Sequence, residues 1–350
     1  MTMKKFTAAL LCVMLVICTS VTAFGATKND VKEKTETAVA FAFDGNYNKQ
    51  GYDVTASKNF YILVSTGADV RAYADAYFAS VETAAKSGTL ADVGTVGLAI
   101  SIADMLGRDA RDINGVDLVE ILQNTPVENN GGTPYNYAYA IEAAHNHALD
   151  ATETALCEKL LSYYKMGEGT DFWGGYGTSP DDLGMFLVAL SFNASKYENY
   201  INDAVRILET FYTADGYSNY GANADSTALA LAAYSALGSK EKADFVYDLL
   251  INKFYSAETG GFISDYDGYY ATADALFAFK YYLPLADNNK DENESATAPE
   301  STVKADETTA AQNRDTGKTS PDTGAAGITA AAVCAAISLC AASALKKKNK

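Results

Sequence analysis

Aromatic and acidic residues recur together in the glycine-containing stretches that precede the apolar segments of this sequence. Aromatic side chains with carboxylates among them commonly hold sugars, and a concave aromatic surface can equally hold an apolar ligand. Two carboxylates about 5–10 Å apart can instead cleave a glycosidic bond. The candidate ligand-binding residues are Tyr135, Trp173, Tyr176, Asp181, Tyr217, Tyr220, Asp265, Asp267 and Tyr269.

A structural role is the competing interpretation of the same residues. Aromatic residues at repeated turns mostly pack between repeats, and Asp at a helix start usually caps the helix, as we expect of Asp182 and its equivalents. We assign no catalytic residue. The alternative candidates are Asp181 with Asp265, as paired carboxylates, and Glu142, which could form an acid/base pair with His145 one helical turn later. A satisfied buried histidine is the simpler interpretation of His145.

The elements that must position these residues repeat along the chain. Five Ala/Leu-rich segments begin at Asp92, Asn136, Asp182, Asp225 and Tyr270, with offsets of 44, 46, 43 and 45 residues. A period of this size is typical of helical repeat arrays. The five segments and a sixth at 56–65 are apolar on most faces, which predicts an inner layer of helices. Amphipathic segments predict an outer layer at 31–43, 70–86, 115–124, 151–165, 198–212 and 239–255.

Six inner and six outer helices predict an all-α fold, an α6/α6 toroid of about six helix pairs. An open superhelical solenoid is the alternative, because a period does not show closure. In either case each repeat places its leading turn at the same height, so the aromatic and acidic turns should surround one mouth.

The turns that enter the inner helices have a pattern of their own. Glycines precede an aromatic residue at 174–176, 216–217 and 260–262, and the fullest copy is "GGFISDYDGYYATADALFAF" at 260–279. In these turns and the helices that follow them, the sequence resembles the prenyltransferase and squalene-cyclase repeat superfamily. The resemblance covers about 90–282 and, more faintly, 30–90. The resemblance implies the toroid but no single activity, because unrelated functions share that scaffold.

The catalytic motifs of that superfamily are not found. Its protein prenyltransferases hold zinc with an Asp, a Cys and a His, whereas the only cysteine outside the two chain ends is Cys157, on a predicted outer helix. His145 and His147 lie two residues apart on a helix and face different directions. The Asp-x-Asp-Asp run of terpene cyclases and the Cys-Gly-Glu-Gln stretch of thioester domains are missing. We therefore predict no metal site and no cofactor.

Calcium is the one cofactor that two short motifs leave open. Asp265-x-Asp267-Gly268 and the stretch at 44–48 place acidic and amide side chains two residues apart, as in a calcium-binding loop. Both lack the later bidentate Glu that completes such a loop.

Both chain ends look like export signals. Lys4 and Lys5 precede an apolar stretch and Ala23-Phe24-Gly25, so residues 1–26 are predicted to be a signal peptide with cleavage after Gly25 or Ala26. Residues 320–350 contain the pentapeptide SPDTG, an uncharged run of 21 residues and a lysine-rich tail. This run is long enough to span a membrane.

The order of features at 320–350 resembles a Gram-positive sortase signal, with Ser320 where the usual motif begins with Leu. The resemblance implies cleavage between Thr323 and Gly324 and attachment of Thr323 to peptidoglycan, after transient anchoring by the C-terminal helix. Signal peptidase and sortase are then partners during export, and the protein is extracellular, at the cell wall. A plain membrane anchor is the alternative.

The composition between the two ends separates a folded part from a stalk. Residues 287–319 are polar, contain no aromatic residue and predict a disordered linker, which leaves 27–286 as the repeat domain. Removing the six lysines of the two end segments leaves 21 basic and 44 acidic residues, a net charge of about −23. Such a surface repels nucleic acid.

These observations favour a wall-attached, non-catalytic module that binds or adheres to a glycan or a small apolar ligand. The alternative is an extracellular glycan-cleaving enzyme with paired carboxylates. An isoprenoid transferase or cyclase is a third interpretation, and the predicted location disfavours it because prenyl donors are cytoplasmic.

Overall fold

A computed structural model describes residues 25–43, 52–218, 220–265 and 267–288. The predicted sorting signal with Thr323 and Gly324, nearly all of the predicted signal peptide and linker, and the calcium candidate at 44–48 lie outside these ranges. In the described ranges the chain is mostly helical, which confirms the all-α class. None of the helices found there is both long and apolar enough to cross a membrane.

Twelve α-helices occur in the described residues, at the positions of the predicted segments. In chain order they are α1 (Lys28–Ala42), α2 (Ser57–Ser65), α3 (Arg71–Ser87), α4 (Val93–Met105), α5 (Leu118–Asn124), α6 (Asn136–Asn146), α7 (Asp150–Leu161), α8 (Pro180–Ser191), α9 (Glu198–Glu209), α10 (Ala224–Ala236), α11 (Lys240–Phe254) and α12 (Gly268–Tyr282). The even-numbered helices are the predicted inner ones, and most of their side chains are buried.

The inner helices pack in the order of the chain. Each even-numbered helix contacts the next, from α2 to α12, and α12 also contacts α2. The outer helices α5, α7, α9 and α11 each pack on the inner helix that precedes them. Helix α1 packs on α12, at the far end of the repeat series, so the two ends of the repeat domain are in contact.

Glycines set the distance between two pairs of inner helices. A Cβ atom added at Gly97 of α4 would lie 2.7 Å from the backbone of Ala140 in α6, and one at Gly184 of α8 would lie 2.8 Å from the carbonyl oxygen of Leu229 in α10. Any larger residue must therefore push the backbones apart, since protein interiors pack without spare space.

Two short hairpins, which the sequence pattern did not predict, lie in the turns before α8 and α10. Strand β1 (Tyr164–Lys165) pairs with β2 (Gly169–Thr170), and β3 (Tyr212–Thr213) pairs with β4 (Gly216–Tyr217), both antiparallel. A single bridge between Tyr255 and Phe262 occupies the same place before α12. In the two later copies the repeated Gly-aromatic turn is thus the return arm of a small hairpin, whereas the copy at 174–176 follows the return strand β2.

A threonine in the first turn of α10 and of α12 fixes this hairpin to the helix. The hydroxyl of Thr227 accepts the backbone N–H of Tyr217 at 3.1 Å, and that of Thr272 accepts the N–H of Phe262 at 2.9 Å. The rings of Tyr217 and Phe262 are buried between repeats. The repeated threonine therefore holds each aromatic wedge in place, because it satisfies a buried backbone donor.

We predict that Gly97→Ala destabilises the domain by about 1–3 kcal/mol, because the methyl group overpacks the contact between α4 and α6. Chemical denaturation followed by circular dichroism measures this change. Gly268→Ala is the milder comparison, since a Cβ atom there would lie 3.2 Å from the carbonyl oxygen of Phe262, which must move by only a few tenths of an ångström. Equal stability of the two variants contradicts the prediction, as alanine favours helix by about 1 kcal/mol where there is space.

Candidate functional site

Side chains at the leading ends of the inner helices join each repeat to the next. These contacts bring together the first turns of helices that are distant in the chain. They are Tyr135 Oη to Asp182 Oδ1 at 2.7 Å, Ser226 Oγ to Asp181 Oδ1 at 2.6 Å, Ser264 Oγ to Asp225 Oδ2 at 3.4 Å, and the Lys58–Asp274 ion pair at 3.6 Å. The leading turns of α6, α8, α10 and α12 thus lie side by side.

The aspartates at two of these turns are free of the capping role that we expected. Asp92 does cap α4, with its carboxylate accepting the N–H of Thr95. The caps of α8 and α10 are instead Ser179 and Asn223, which place Asp182 and Asp225 inside the first turn. The capping prediction for Asp182 and Asp225 was wrong, and their carboxylates are available for contacts between repeats.

Asp182 is the buried anchor of the aromatic residues at this end. Its Oδ1 accepts hydrogen bonds from Tyr135 Oη and, at 3.2 Å, from Trp173 Nε1. Its Oδ2 has no hydrogen-bond partner in the part of the chain that the structure describes. Burial raises the pKa of Asp182, and the bonds from Tyr135, Ser179 and Trp173 oppose that rise. Asp182 therefore orients the half-exposed indole of Trp173.

An open cleft of about 310 Å³ lies beside these carboxylates. Among the described residues, its walls include hydroxyls, carboxylates, an amide and the aromatic ring of Tyr220, and none of these lining residues is basic. The lining residues used below are Asp181, Ser218, Tyr220, Asn223, Ser226 and Asp265. We call this surface the acidic cleft.

A second, smaller cavity of about 110 Å³ continues inward from Asp181, which lines both spaces. Lys58, Tyr135, Tyr139 and Asp274 are among its walls, so it lies among helices α2, α6, α8, α10 and α12. At about 30 Å³ per molecule it has room for only a few waters. We call it the central cavity.

Three carboxylates share this region with one lysine. Burial raises the pKa of Asp181 to about 6; the Ser226 hydroxyl opposes the rise, and Asp274 and Asp225 add to it. Burial and then Asp274 raise the pKa of Asp225 to about 6. Burial also raises the pKa of Asp274, against the effect of Lys58. These acids thus hold protons more firmly than ordinary aspartates, as acids at functional sites often do.

Below the central cavity, the space between the inner helices is filled. Tyr139 of α6 meets Phe277 of α12 edge to face, with ring centroids 6.1 Å apart. Beyond them, Glu142 of α6 forms a buried ion pair with Lys280 of α12 and accepts the Tyr61 hydroxyl at 2.6 Å. The central cavity therefore has a solid floor.

This ion pair corrects two expectations. Glu142, an alternative catalytic candidate, pairs with Lys280 and not with His145. His145 is half-exposed rather than buried, and its Nδ1 lies 3.3 Å from Glu153. Glu142 and His145 do lie about one turn apart on α6, but their side chains contact different neighbours.

The remaining candidate residues occupy different environments. Tyr220 and Tyr176 are 96% and 86% exposed, and Asp265 lies at the exposed rim of the acidic cleft. Tyr217, by contrast, is 4% exposed with its hydroxyl on Tyr234, so it is a core residue.

Two further candidates at the start of α12 have structural contacts. Asp267 caps α12 through the N–H of Tyr269, and the ring of Tyr269 stacks on Phe41 with centroids 5.1 Å apart. Asp267 therefore stabilises the start of α12 and Tyr269 packs α12 against α1, and neither is among the residues that line the cleft.

Metal-binding groups are not evident at this site. The described ranges contain no cluster of three or more His, Cys, Asp or Glu side chains that could hold a metal ion. Cys157 is buried on α7, and burial raises the pKa of its thiol to about 11. A buried cysteine with a protonated thiol packs as a small hydrophobic side chain.

Sequence reasoning missed four contributors: Lys58, Asn223, Ser226 and Asp274. Asn223 could have been found as a cap residue just before an apolar run, as could Ser179 with Pro180 after it. Asp274 has a different signal, since it is a carboxylate within the apolar run "ATADALFAF". A charge on an otherwise apolar inner helix needs a partner of opposite charge, here the half-exposed Lys58.

No family model, no curated protein and no solved structure matches this chain.

We predict that Asp181→Asn stabilises the domain by about 1 kcal/mol at pH 7 and flattens the pH dependence of its stability between about pH 4 and 6. The folded state raises the pKa of Asp181 to about 6, so it binds more protons than the unfolded chain in that interval, and stability falls as pH rises. Thermal midpoints at several pH values measure this.

The control is Asp265→Asn, because that carboxylate is exposed at the rim of the same cleft. A loss of stability at pH 7 in Asp181→Asn, larger than that in Asp265→Asn, contradicts the prediction.

Proposed function

We propose that the repeat domain is an α6/α6 toroid that binds a glycan in the acidic cleft and does so at the cell surface. The toroid is supported by the sequence of contacts among the inner helices, which returns from α12 to α2, and by the packing of α1 on α12. Helix α1 then supplies the outer partner of α12, and the six helix pairs are complete. The likeness of the repeated turns to the prenyltransferase and squalene-cyclase superfamily fits this arrangement.

The composition of the cleft walls is the observation that carries the ligand proposal. Hydroxyl, amide and carboxylate groups of Ser226, Asn223, Asp181 and Asp265 converge there beside the exposed ring of Tyr220. Polar groups that accept and donate, next to an aromatic face, match the alternation of hydroxyls and C–H faces on a sugar. A volume of about 310 Å³ is at the lower end of the range for small-molecule pockets and suits about one or two sugar rings.

The charge of the cleft sets the class of glycan. Among the described residues of its wall, the charged side chains are Asp181 and Asp265, both acidic. The cleft therefore repels carboxylated or phosphorylated sugars and admits neutral or amino sugars. The central cavity is too small for an isoprenoid chain, and its wall carries Lys58 and Asp274. An apolar ligand is therefore a poorer fit than a neutral or amino sugar.

The position of the cleft fits a module held at the end of a stalk. Helix α12 begins at Gly268, next to the cleft, and ends at Tyr282, close to the start of the predicted linker at 287. Its 15 residues span about 22 Å. The cleft and the exit of the chain thus lie at opposite ends of α12, and the cleft can face away from the wall.

Glycan cleavage is the second candidate function. The observation that favours it is the pKa of about 6 for Asp181, which would let this residue donate a proton near neutral pH, with Asp265 in the same cleft. The Ser226 hydroxyl on Asp181 is equally consistent with a carboxylate that only binds.

We predict that the domain binds neutral or amino-bearing oligosaccharides on a glycan array and that Tyr220→Ala weakens binding about three- to tenfold, the usual contribution of one aromatic contact. Tyr176→Ala is the matched control, because Tyr176 is also highly exposed but does not line the cleft. Trp173→Ala should have an intermediate effect, because its indole donates to Asp182, next to Asp181 of the cleft wall, without lining the cleft itself.

Equal effects of Tyr220→Ala and Tyr176→Ala, or binding only to acidic glycans, would falsify the placement of the ligand in this cleft. Mass spectrometry of the same incubations separates binding from cleavage. Shorter oligosaccharides that form with the wild-type chain, but not with Asp181→Asn, favour the enzyme.

We also predict that Thr323→Ala abolishes covalent attachment to the wall, because the proposed sortase must recognise the threonine side chain before it cuts the bond between Thr323 and Gly324. The wild-type protein should be released from cells only by a peptidoglycan hydrolase, and the variant by detergent. Release of both by detergent alone indicates the plain membrane anchor.

A further inference from the structure

The first described residues of the chain lie in a polar site made by α11 and the end of α12. The backbone N–H of Ala26 donates to the hydroxyl of Tyr282 at 3.1 Å, and this hydroxyl donates to Asp244 Oδ1 at 2.8 Å. The N–H of Gly25 donates to Asp248 Oδ2 at 3.2 Å. Ala26, Tyr282 and Asp244 are all buried. Two backbone nitrogens thus point at two carboxylates. That of Gly25 contacts Asp248 directly, and that of Ala26 reaches Asp244 through the hydroxyl of Tyr282.

The fit at Gly25 is tight. Its φ is +108°, and a Cβ atom there would lie 2.5 Å from Cγ of Asp244, so the position admits only glycine without rearrangement. On the other side, the N–H of Asp287 donates to the carbonyl oxygen of Ala26 at 3.0 Å, and the N–H of Lys28 donates to Asp287 at 2.9 Å. The peptide bonds on the two sides of Ala26 are thus each held by a hydrogen bond, one to Tyr282 and one to Asp287.

Charge at this site is unbalanced. Helix α11 contributes the carboxylates of Asp244 and Asp248 and the ammonium group of Lys240, which contacts both Asp244 and Asp287. On α1, Asp30 is engaged by Thr27, and Lys28 contacts Asn288. Burial raises the pKa of Asp248, the Gly25 bond opposes the rise, and Asp244 adds to it. One further positive charge would balance the pair of carboxylates.

We propose that this is the binding site for the α-ammonium group that signal-peptide cleavage creates at Ala26. Hydrolysis of the bond after Gly25 consumes one water, leaves a carboxylate on the departing Gly25 and frees an amine on Ala26, which takes up a proton. Removal of Gly25 exposes the carboxylates of Asp244 and Asp248 to the new charge. Tyr282 keeps its bond to the same nitrogen.

The same geometry selects between the two predicted cleavage positions. Cleavage after Ala26 removes the residue whose nitrogen and carbonyl oxygen make the bonds to Tyr282 and Asp287, whereas cleavage after Gly25 keeps both. Because the bond is buried in the folded chain, it must be cut before the segment binds. Processing and completion of the fold are therefore coupled.

The amino terminus of the exported protein and the titration of its α-amine test the proposal. We expect the first residue to be Ala26, and we expect its α-amine, in the chain from residue 26 to the end, to titrate about one unit above the ordinary 7.7–8.0. An acylating reagent should modify it about tenfold more slowly in the native chain than in urea. Asp244→Asn should return both properties toward those of the unfolded chain.

A chain with two glycines before Ala26 is the matched control, since it keeps a glycine at position 25 but moves the charge away. Its thermal midpoint at pH 7 should be about 2–5 °C lower than that of the Ala26 chain. A raised pKa of the α-amine contributes its full stabilisation of the fold below about pH 7.7. This stabilisation is lost as pH rises through the pKa of the amine in the folded chain. The thermal midpoints of the two chains should therefore converge at high pH. If Asp244→Asn does not fold, Asp248→Asn replaces it.

A first residue other than Ala26, or an α-amine with the same pKa and acylation rate in native and urea-unfolded chains, overturns the proposal. Neither result bears on the acidic cleft, which lies at the other end of α12.

Discussion

The register between neighbouring inner helices is the constraint on which the rest of the structure depends. Where Gly97 and Gly184 face the backbone of the next inner helix, there is no space for a side chain, so the helices cannot slide along each other without a clash. The threonines that hold the hairpins before α10 and α12 fix the turns to the same register. Such a register places the leading turns of α8, α10 and α12 side by side, so residues from three repeats can line one cleft.

That register places acidic groups together at a cost in stability. Asp181 and Asp225 lie in the first turns of α8 and α10, where the helix dipole favours negative charge, yet their pKa values are raised because burial and neighbouring carboxylates outweigh it. A purely structural role is served better by neutral side chains. Asp181 joins this group of three carboxylates and Lys58 to the wall of the acidic cleft, which makes the cleft the strongest candidate for function.

The two ends of α12 serve different tasks. The loop that leads into α12 contacts α10 beside the cleft, through the hydrogen bond from Ser264 to Asp225. At the other end of α12, Tyr282 binds the amino-terminal segment of the domain. Between them, the Glu142–Lys280 ion pair and the rings of Tyr139 and Phe277 close the space among the inner helices. This floor separates the acidic cleft from the end of α12 at which the amino-terminal segment binds.

The sequence by itself determined the helices and their layers, because hydrophobic periodicity and the spacing of 43 to 46 residues are local properties of the chain. It also indicated Asp181, Asp265 and Trp173, whose types stand out at repeated turns. Only the tertiary structure decided which side chains meet. Glu142 pairs with Lys280, 138 residues away, and Asp274 with Lys58, because packing of α12 on α2 brings them together. Tertiary packing also decided the burial of Tyr217, whose hydroxyl contacts Tyr234 of α10. Whether a turn residue points inward or outward depends on the residues packed against it and not on its own sequence.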